Sequence, residues 1–93
     1  MPSAGLIGYT SHVMHIRLLF FALYRDLAGT DGIDLQVPAG TTARQAVDLI
    51  RQANGLTRLP AEPAIAVNLA VTGHDTVLED GDEVALLPPV AGG

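Results

Sequence analysis

Only one stretch of this chain has the length and period of a substantial helix, and that restricts the fold more than any other feature. From Thr41 or Thr42, either of which can act as the N-cap, to about Ala53, the apolar residues Ala43, Ala46, Val47, Leu49 and Ile50 recur at helical spacing. Arg44, Gln45, Asp48, Arg51 and Gln52 fall mainly outward, and Asn54-Gly55 ends the segment. Pro38-Ala39-Gly40 separates it from what precedes. With 93 residues in all, the chain allows one domain. One amphipathic helix in one small domain must bury its apolar stripe against a sheet.

The remaining segments supply that sheet. His15 to Phe21 reads as a strand with Ile16, Leu18 and Phe20 on one face and Arg17, Leu19 and Phe21 on the other. Both faces are substantially apolar, as in a central strand or one covered by a partner. Ala22 to Ala28 reads as a short helix stopped by Gly29, followed by a turn at Thr30-Asp31-Gly32. Ile33 to Val37 alternates strictly and pairs back antiparallel. Beyond the long helix, residues 56–63 form a loop and Ala64 to Val67 a short buried strand. Asn68 to Val71 leads into another strand or a bulged turn, Thr76 to Glu79 contributes Val77 and Leu78, and Glu83 to Leu87 is the last strand. There Val84 and Leu86 take one face, Ala85 and Leu87 the other, and Pro88-Pro89 ends the pairing. The order predicts an α+β fold of the β-grasp (ubiquitin-like) kind, a mixed sheet packed on one main helix plus a short helix. The expected organisation is a flexible leader or extension at 1–13, the β-grasp domain at 14–88 and an extended tail at 89–93.

Charge and composition narrow the function. Five arginines and no lysine stand against ten acidic residues, a net charge of −5. Nothing in that distribution forms a phosphate-tracking stripe, which argues against nucleic acid and suits a basic partner. With no cysteine, disulfides, thiolate metal sites and a cysteine nucleophile are ruled out. No apolar run approaches the roughly 20 residues that span a bilayer. His12, His15 and His74 read as surface histidines, so no metal site is expected. Glu79-Asp80-Gly81-Asp82-Glu83 lacks the spacing of a calcium loop and reads as a solvated turn between strands, compatible with docking a basic partner.

The C-terminal residues carry the chemistry. Pro88 and Pro89 are stiff and extended, Val90 and Ala91 follow, and Gly92-Gly93 has no side chains. From Pro89 to Gly93 such a tail reaches at most ~16–18 Å. Its two glycines can thread a narrow channel and adopt backbone angles closed to other residues. That geometry delivers one group, the Gly93 carboxylate, into another protein. A carboxylate becomes reactive when ATP converts it to an acyl-adenylate, and a sulfur nucleophile can then displace AMP and leave a thiocarboxylate. In a cysteine-free chain this is the one place to carry transferable sulfur.

The ending Asp80–Gly93, DGDEVALLPPVAGG, resembles that of the small subunit of molybdopterin synthase. Phe20-Phe21-Ala22, then Arg25-Asp26-Leu27-Ala28-Gly29, and Ala66-Val67-Asn68 extend the resemblance over Met14 to Gly93. It implies a sulfur carrier whose Gly93 is adenylated by an E1-like enzyme using ATP and Mg²⁺, the chain itself binding no cofactor. A sulfur donor protein then makes the thiocarboxylate. The tail, Pro88 to Gly92 threading behind Gly93, enters the large synthase subunit. There sulfur passes to cyclic pyranopterin monophosphate to build the dithiolene, two charged carriers serving each product. The implied setting is cytoplasmic and the implied assembly a heterotetramer. The chain is a non-autonomous sulfurtransferase subunit, with the catalytic pocket on the large subunit. The resemblance places the docking surface on Phe21, Val71 and Leu87, with Arg25 nearby; Leu87 stands where bulkier aromatic residues are common. A carrier for thiamine thiazole or cysteine synthesis, a ubiquitin-like protein modifier and a plain interaction module are the competing readings. Without lysine, the chain cannot accept an isopeptide bond at an ε-amine of its own.

Overall fold

The computed structural model describes residues 13–53 and 55–89. Within them the order is β1 (Val13–Phe20), α1 (Ala22–Ala28), β2 (Gly32–Pro38), α2 (Ala43–Ala53), β3 (Ala64–Val67), β4 (Ala70–Thr72) and β5 (Glu83–Leu87). The five strands form one sheet in the order β2-β1-β5-β3-β4. β1 pairs antiparallel with β2, β3 antiparallel with both β5 and β4, and β1 parallel with β5. This mixed sheet closing over one main helix is the β-grasp arrangement expected from the order of segments.

Alternation along β1 decides which side of the sheet is filled. Met14, Ile16, Leu18 and Phe20 are all buried. The register sets Leu18 beside Val84 and Phe20 beside Leu86, with Ile65 opposite Leu86 on the next strand. α2 answers with Ala43, Ala46, Val47 and Ile50, each without exposed surface. Burial of one such Leu, Val or Ile side chain contributes about 1.5–3 kcal/mol. Tyr24 from α1, Val37 from β2, Leu59 from the 55–63 loop and Leu78 complete this core. Leu49, on the apolar stripe by spacing, lies at its border and stays exposed.

Local chemistry explains the helix ends. Thr42 is the N-cap of α2: its Oγ1 accepts the Gln45 N–H at 3.2 Å, and Gln45 Oε1 accepts the Thr42 N–H at 2.9 Å. That reciprocal pair is a capping box. Thr41 instead turns inward and donates its hydroxyl to the Pro38 carbonyl at 2.6 Å. α1 ends at Gly29, whose φ of 76° is readily taken only by glycine and whose N–H donates to the Arg25 carbonyl at 2.8 Å.

Several details differ from the pattern of the sequence. β1 begins at Val13 and closes at Phe20, because Phe21 leaves the ladder to become the N-cap of α1. Thr76 to Glu79 forms no strand. Its backbone partners lie at the start of α2: Ala43 N–H donates to Thr76 O and Leu78 N–H to Thr41 O, both at 2.9 Å. Asp48 has the spacing to pair with Arg44 one turn earlier, but the arginines of α2 instead tie separate elements together. Arg44 forms ion pairs with Glu62 and Asp75, and Arg51 donates to the carbonyls of Leu59 and Thr57. The hydrogen bond and charge of Glu62 hold the Arg44 guanidinium above its already high range. The expectations for residues 1–12 and for Val90 to Gly93 lie outside the described residues.

Thr42→Ala removes one half of the capping box and should cost about 0.5–2 kcal/mol. A urea denaturation midpoint measured against the parent chain checks it, and Thr41→Ser, which keeps the hydroxyl of the neighbouring threonine, should change it less.

Candidate functional site

The sheet has a second face, and among the described residues no helix covers it. Strand pairing lines up Leu19, Ala85, Ala66 and Val71 in one row across β1, β5, β3 and β4. The two residues in the middle of that row are alanines. Larger side chains surround them: Phe21 and Leu87 toward one end of β5, Leu69 and Glu83 toward the other. Small residues at the centre and large ones at the rim leave an apolar concavity of about 270 Å³. Phe21 is 48% exposed and Val71 78%. A contiguous apolar depression open to water on a small domain is a candidate contact surface for another protein.

Phe21 reaches this face through its backbone. With φ −124° and ψ 153°, it continues the extended path of β1 one residue beyond the last ladder pair, so its ring lies on the side opposite Phe20. Its carbonyl then accepts the N–H groups of Tyr24 and Arg25, which starts α1. Val71 reaches the face through a two-residue hairpin. Val67 pairs with Ala70, leaving Asn68 and Leu69 at φ 51° and 75°. Two left-handed residues in a two-residue loop make the tight turn whose twist matches its strands. No bulge intervenes, so Val71 stays in register with Ala66.

Asn68 is the residue that makes this turn workable. Asparagine tolerates the left-handed region better than most residues. Its Oδ1 accepts the Glu83 N–H at 2.9 Å, its Nδ2 donates to Asp82 Oδ1 at 2.8 Å, and its own N–H donates to the Glu83 carbonyl at 2.8 Å. The acidic stretch therefore works as a clasp rather than as a free charged turn. Asp80 Oδ1 accepts the His15 N–H at 2.7 Å, and Asp82 Oδ2 accepts the Glu79 N–H at 2.8 Å.

The other expected site residues are distributed as follows. Leu87 lines the concavity. Arg25 does not; it lies 3.8 Å from Asp31 and borders a separate polar depression with Asp26, Gly29 and Thr30. Pro88 and Pro89 follow directly from β5 and line a mainly apolar groove together with Tyr24, Pro60, Glu62, Pro63 and Ala64. Val90, Ala91, Gly92 and Gly93 are outside the described residues. Leu69, Ala66 and Ala85 join the surface although sequence reasoning does not single them out. The alternation that pairs Ala85 with Leu87 is a usable signal; for Leu69 the signal is the two-residue turn itself. Among the described residues, no three His, Asp or Glu side chains gather to hold a metal ion, and no helix is long and apolar enough to cross a membrane.

The comparisons with known proteins agree with this geometry. Residues 18–93 match the ThiS family. The molybdopterin synthase sulfur carrier subunit of Drosophila erecta is 37% identical over 84 residues, spanning 87% of this chain and 93% of that protein. The subunit of the same name from Escherichia coli K12 is 36% identical over 80 residues, spanning 84% and 99%. Among solved structures, the complex of subunits 1 and 2 of the molybdopterin-converting factor from Helicobacter pylori contains a chain that superposes with a TM-score of 0.63. That match has 26% identity and covers 86% of this chain and 100% of the other.

Asn68→Ala should destabilise the fold by about 1–3 kcal/mol, since alanine bears the left-handed backbone at a cost and two side-chain hydrogen bonds vanish. Urea unfolding of the two proteins side by side measures it. Asn68→Gly should lose less than Asn68→Ala, because glycine relieves the backbone part of the cost.

Proposed function

The chain belongs to the ThiS family, and we propose that within it the protein is the sulfur-carrier small subunit of a molybdopterin synthase. The observation that carries this reading is the continuity between the open apolar face and the tail. The row Leu19, Ala85, Ala66 and Val71 is flanked by Leu87, and Leu87 is followed at once by Pro88-Pro89. A protein seated on that face receives the tail as part of the same contact. The 36–37% identity to two sulfur carrier subunits over most of both chains supports the same assignment.

In this function Gly93 is the reacting residue. An E1-like enzyme joins its carboxylate to the AMP moiety of ATP, with Mg²⁺, and releases pyrophosphate. Sulfide-level sulfur supplied by a donor attacks the acyl carbon, AMP leaves with the bonding pair of the broken acyl–oxygen bond, and a thiocarboxylate remains. In the large subunit that sulfur bonds to the pterin precursor, cyclic pyranopterin monophosphate, and water restores the Gly93 carboxylate. Each carrier delivers one sulfur, so the dithiolene takes two. The chain's own part is to bind, to aim and to carry. Its concavity holds the partner, and the proline pair, having no N–H to give to a ladder, keeps the tail from folding back as another strand. Pro88 to Gly92 thread while Phe21, Val71 and Leu87 dock; Arg25, in its separate depression, lies outside that contact. Acid–base groups and the pterin site belong to the large subunit. The assembly is a heterotetramer, two large subunits at the centre and one small subunit at each end, in the cytoplasm.

Two measurements test this. Incubation of the full chain with an E1-like activating enzyme, ATP and sulfide should replace one terminal oxygen by sulfur in the intact mass, and deletion of Gly93 should abolish the change. An unchanged mass with an activating enzyme that charges its own carrier would sink the proposal. Separately, Ala85→Leu fills the centre of the concavity without touching the opposite, buried face. It should weaken binding to the large subunit about tenfold or more, measured by titration calorimetry, with little change in the unfolding midpoint.

A further inference from the structure

Leu69 is the most exposed large apolar side chain among the described residues, at 95%, yet it lines the rim of the concavity. It also occupies a backbone position that favours glycine, with φ at 75°. Neither burial nor turn preference accounts for a leucine there. Among the described residues, three non-glycine residues have positive φ, and they are Ala22, Asn68 and Leu69. Ala22 directly follows Phe21, and Asn68-Leu69 directly precedes β4, so all three bound the same apolar face. Backbone strain held at the border of a contact surface is a mark of function.

Position defines what Leu69 could touch. Its turn is fastened to the start of β5 by the hydrogen bonds between Asn68 and Glu83. Leu87 and the proline pair are at the other end of the same strand. Four residue steps along β5, from Glu83 to Leu87, separate the two ends, about 13 Å at ~3.3 Å per residue. A partner that gripped only the tail would not reach Leu69; a partner seated along the whole face would. A second copy of this chain is a poor occupant, since it brings the same net charge of −5 and the same Glu83 at its rim.

Resting on the carrier reading above, we propose that Leu69 is a docking anchor for the large synthase subunit. It is a preordered apolar knob that enters a socket of that subunit, which offers a basic group to the neighbouring Glu83. Leu69 thereby helps to set which large subunit the chain accepts. The strained turn holds the side chain in its bound position before contact, so little freedom is lost on docking.

The test is titration calorimetry of the full chain against the large subunit from the same genome, with Leu69→Asn, Leu69→Met and Val71→Ser beside the parent. Asparagine suits the left-handed position, so Leu69→Asn should unfold at the same temperature as the parent or higher. Its Kd should nevertheless rise about tenfold or more. Leu69→Met keeps the apolar bulk and should bind like the parent. Unchanged affinity in Leu69→Asn with a loss in Val71→Ser overturns the anchor and leaves the carrier reading standing. No binding by the parent chain overturns both. Sedimentation of the free chain supplies the last arm: self-association that Leu69→Asn abolishes, with large-subunit affinity unchanged, makes a second copy the occupant and overturns the proposal.

Discussion

The parallel pairing of β1 with β5 at the centre of the sheet is the interaction on which the rest depends. It joins Leu18 to Val84 and Phe20 to Leu86 from opposite ends of the chain. Parallel neighbours cannot be linked by a tight turn, so everything between them must serve as the crossover. That crossover contains α2, which seals one side of the pair, and β3, which flanks β5 on its free edge. The same pairing sets Leu19 against Ala85 on the other side. Core and contact surface are thus two faces of one strand pair, fixed by one register. A slip by one residue would exchange them and leave neither intact.

The two faces are built on different rules. The filled face uses large side chains at nearly every position, with helix alanines at Ala43 and Ala46 letting the backbones approach. The open face reverses this, with alanines on the strands and bulk at the border. A flat face of large residues would be adhesive to any apolar surface, whereas a shallow bowl accepts a complementary shape. Its borders are polar away from the tail: Arg17 pairs with Asp34 at 2.7 Å, and His15 reaches Gln36 at 2.9 Å. The apolar part of the face that remains runs from Leu69 past the two alanines to Leu87.

Much of this architecture is legible in the order of the amino acids. Period two in HIRLLFF, period 3.6 in Ala43 to Ile50 and the stop at Pro88-Pro89 are local signals, and they determine the elements and the two-sided character of the central strands. What stays hidden depends on partners distant in the chain. Thr76 to Glu79 has strand-like residues but finds α2 beside it, so it makes backbone bonds without becoming a strand. Arg44 and Asp48 have the spacing of a helix-face pair, yet Glu62 and Asp75 draw Arg44 away. The acidic run is the exposed turn it reads as, yet nothing local reveals that Asp80 also meets His15, 65 residues earlier, or that Asp82 meets Asn68. At the site, Phe21 and Leu87 follow from alternation and Val71 from resemblance. Arg25 lies in a separate depression, and only the pairing of Val67 with Ala70 brings Leu69 into view.

The strand order leaves β2 and β4 at the two margins of the sheet. β4 is only three residues long, and β2 ends at Pro38, which has no N–H to offer. Margins of this kind are poor templates for strand addition by another chain. A protein with an uncovered apolar face is exposed to two forms of misassembly, sticking by the face and polymerising by the margin. Here the second route is blunted by backbone alone. The face can then remain uncovered without the added route to misassembly that a long, unprotected outer strand would bring.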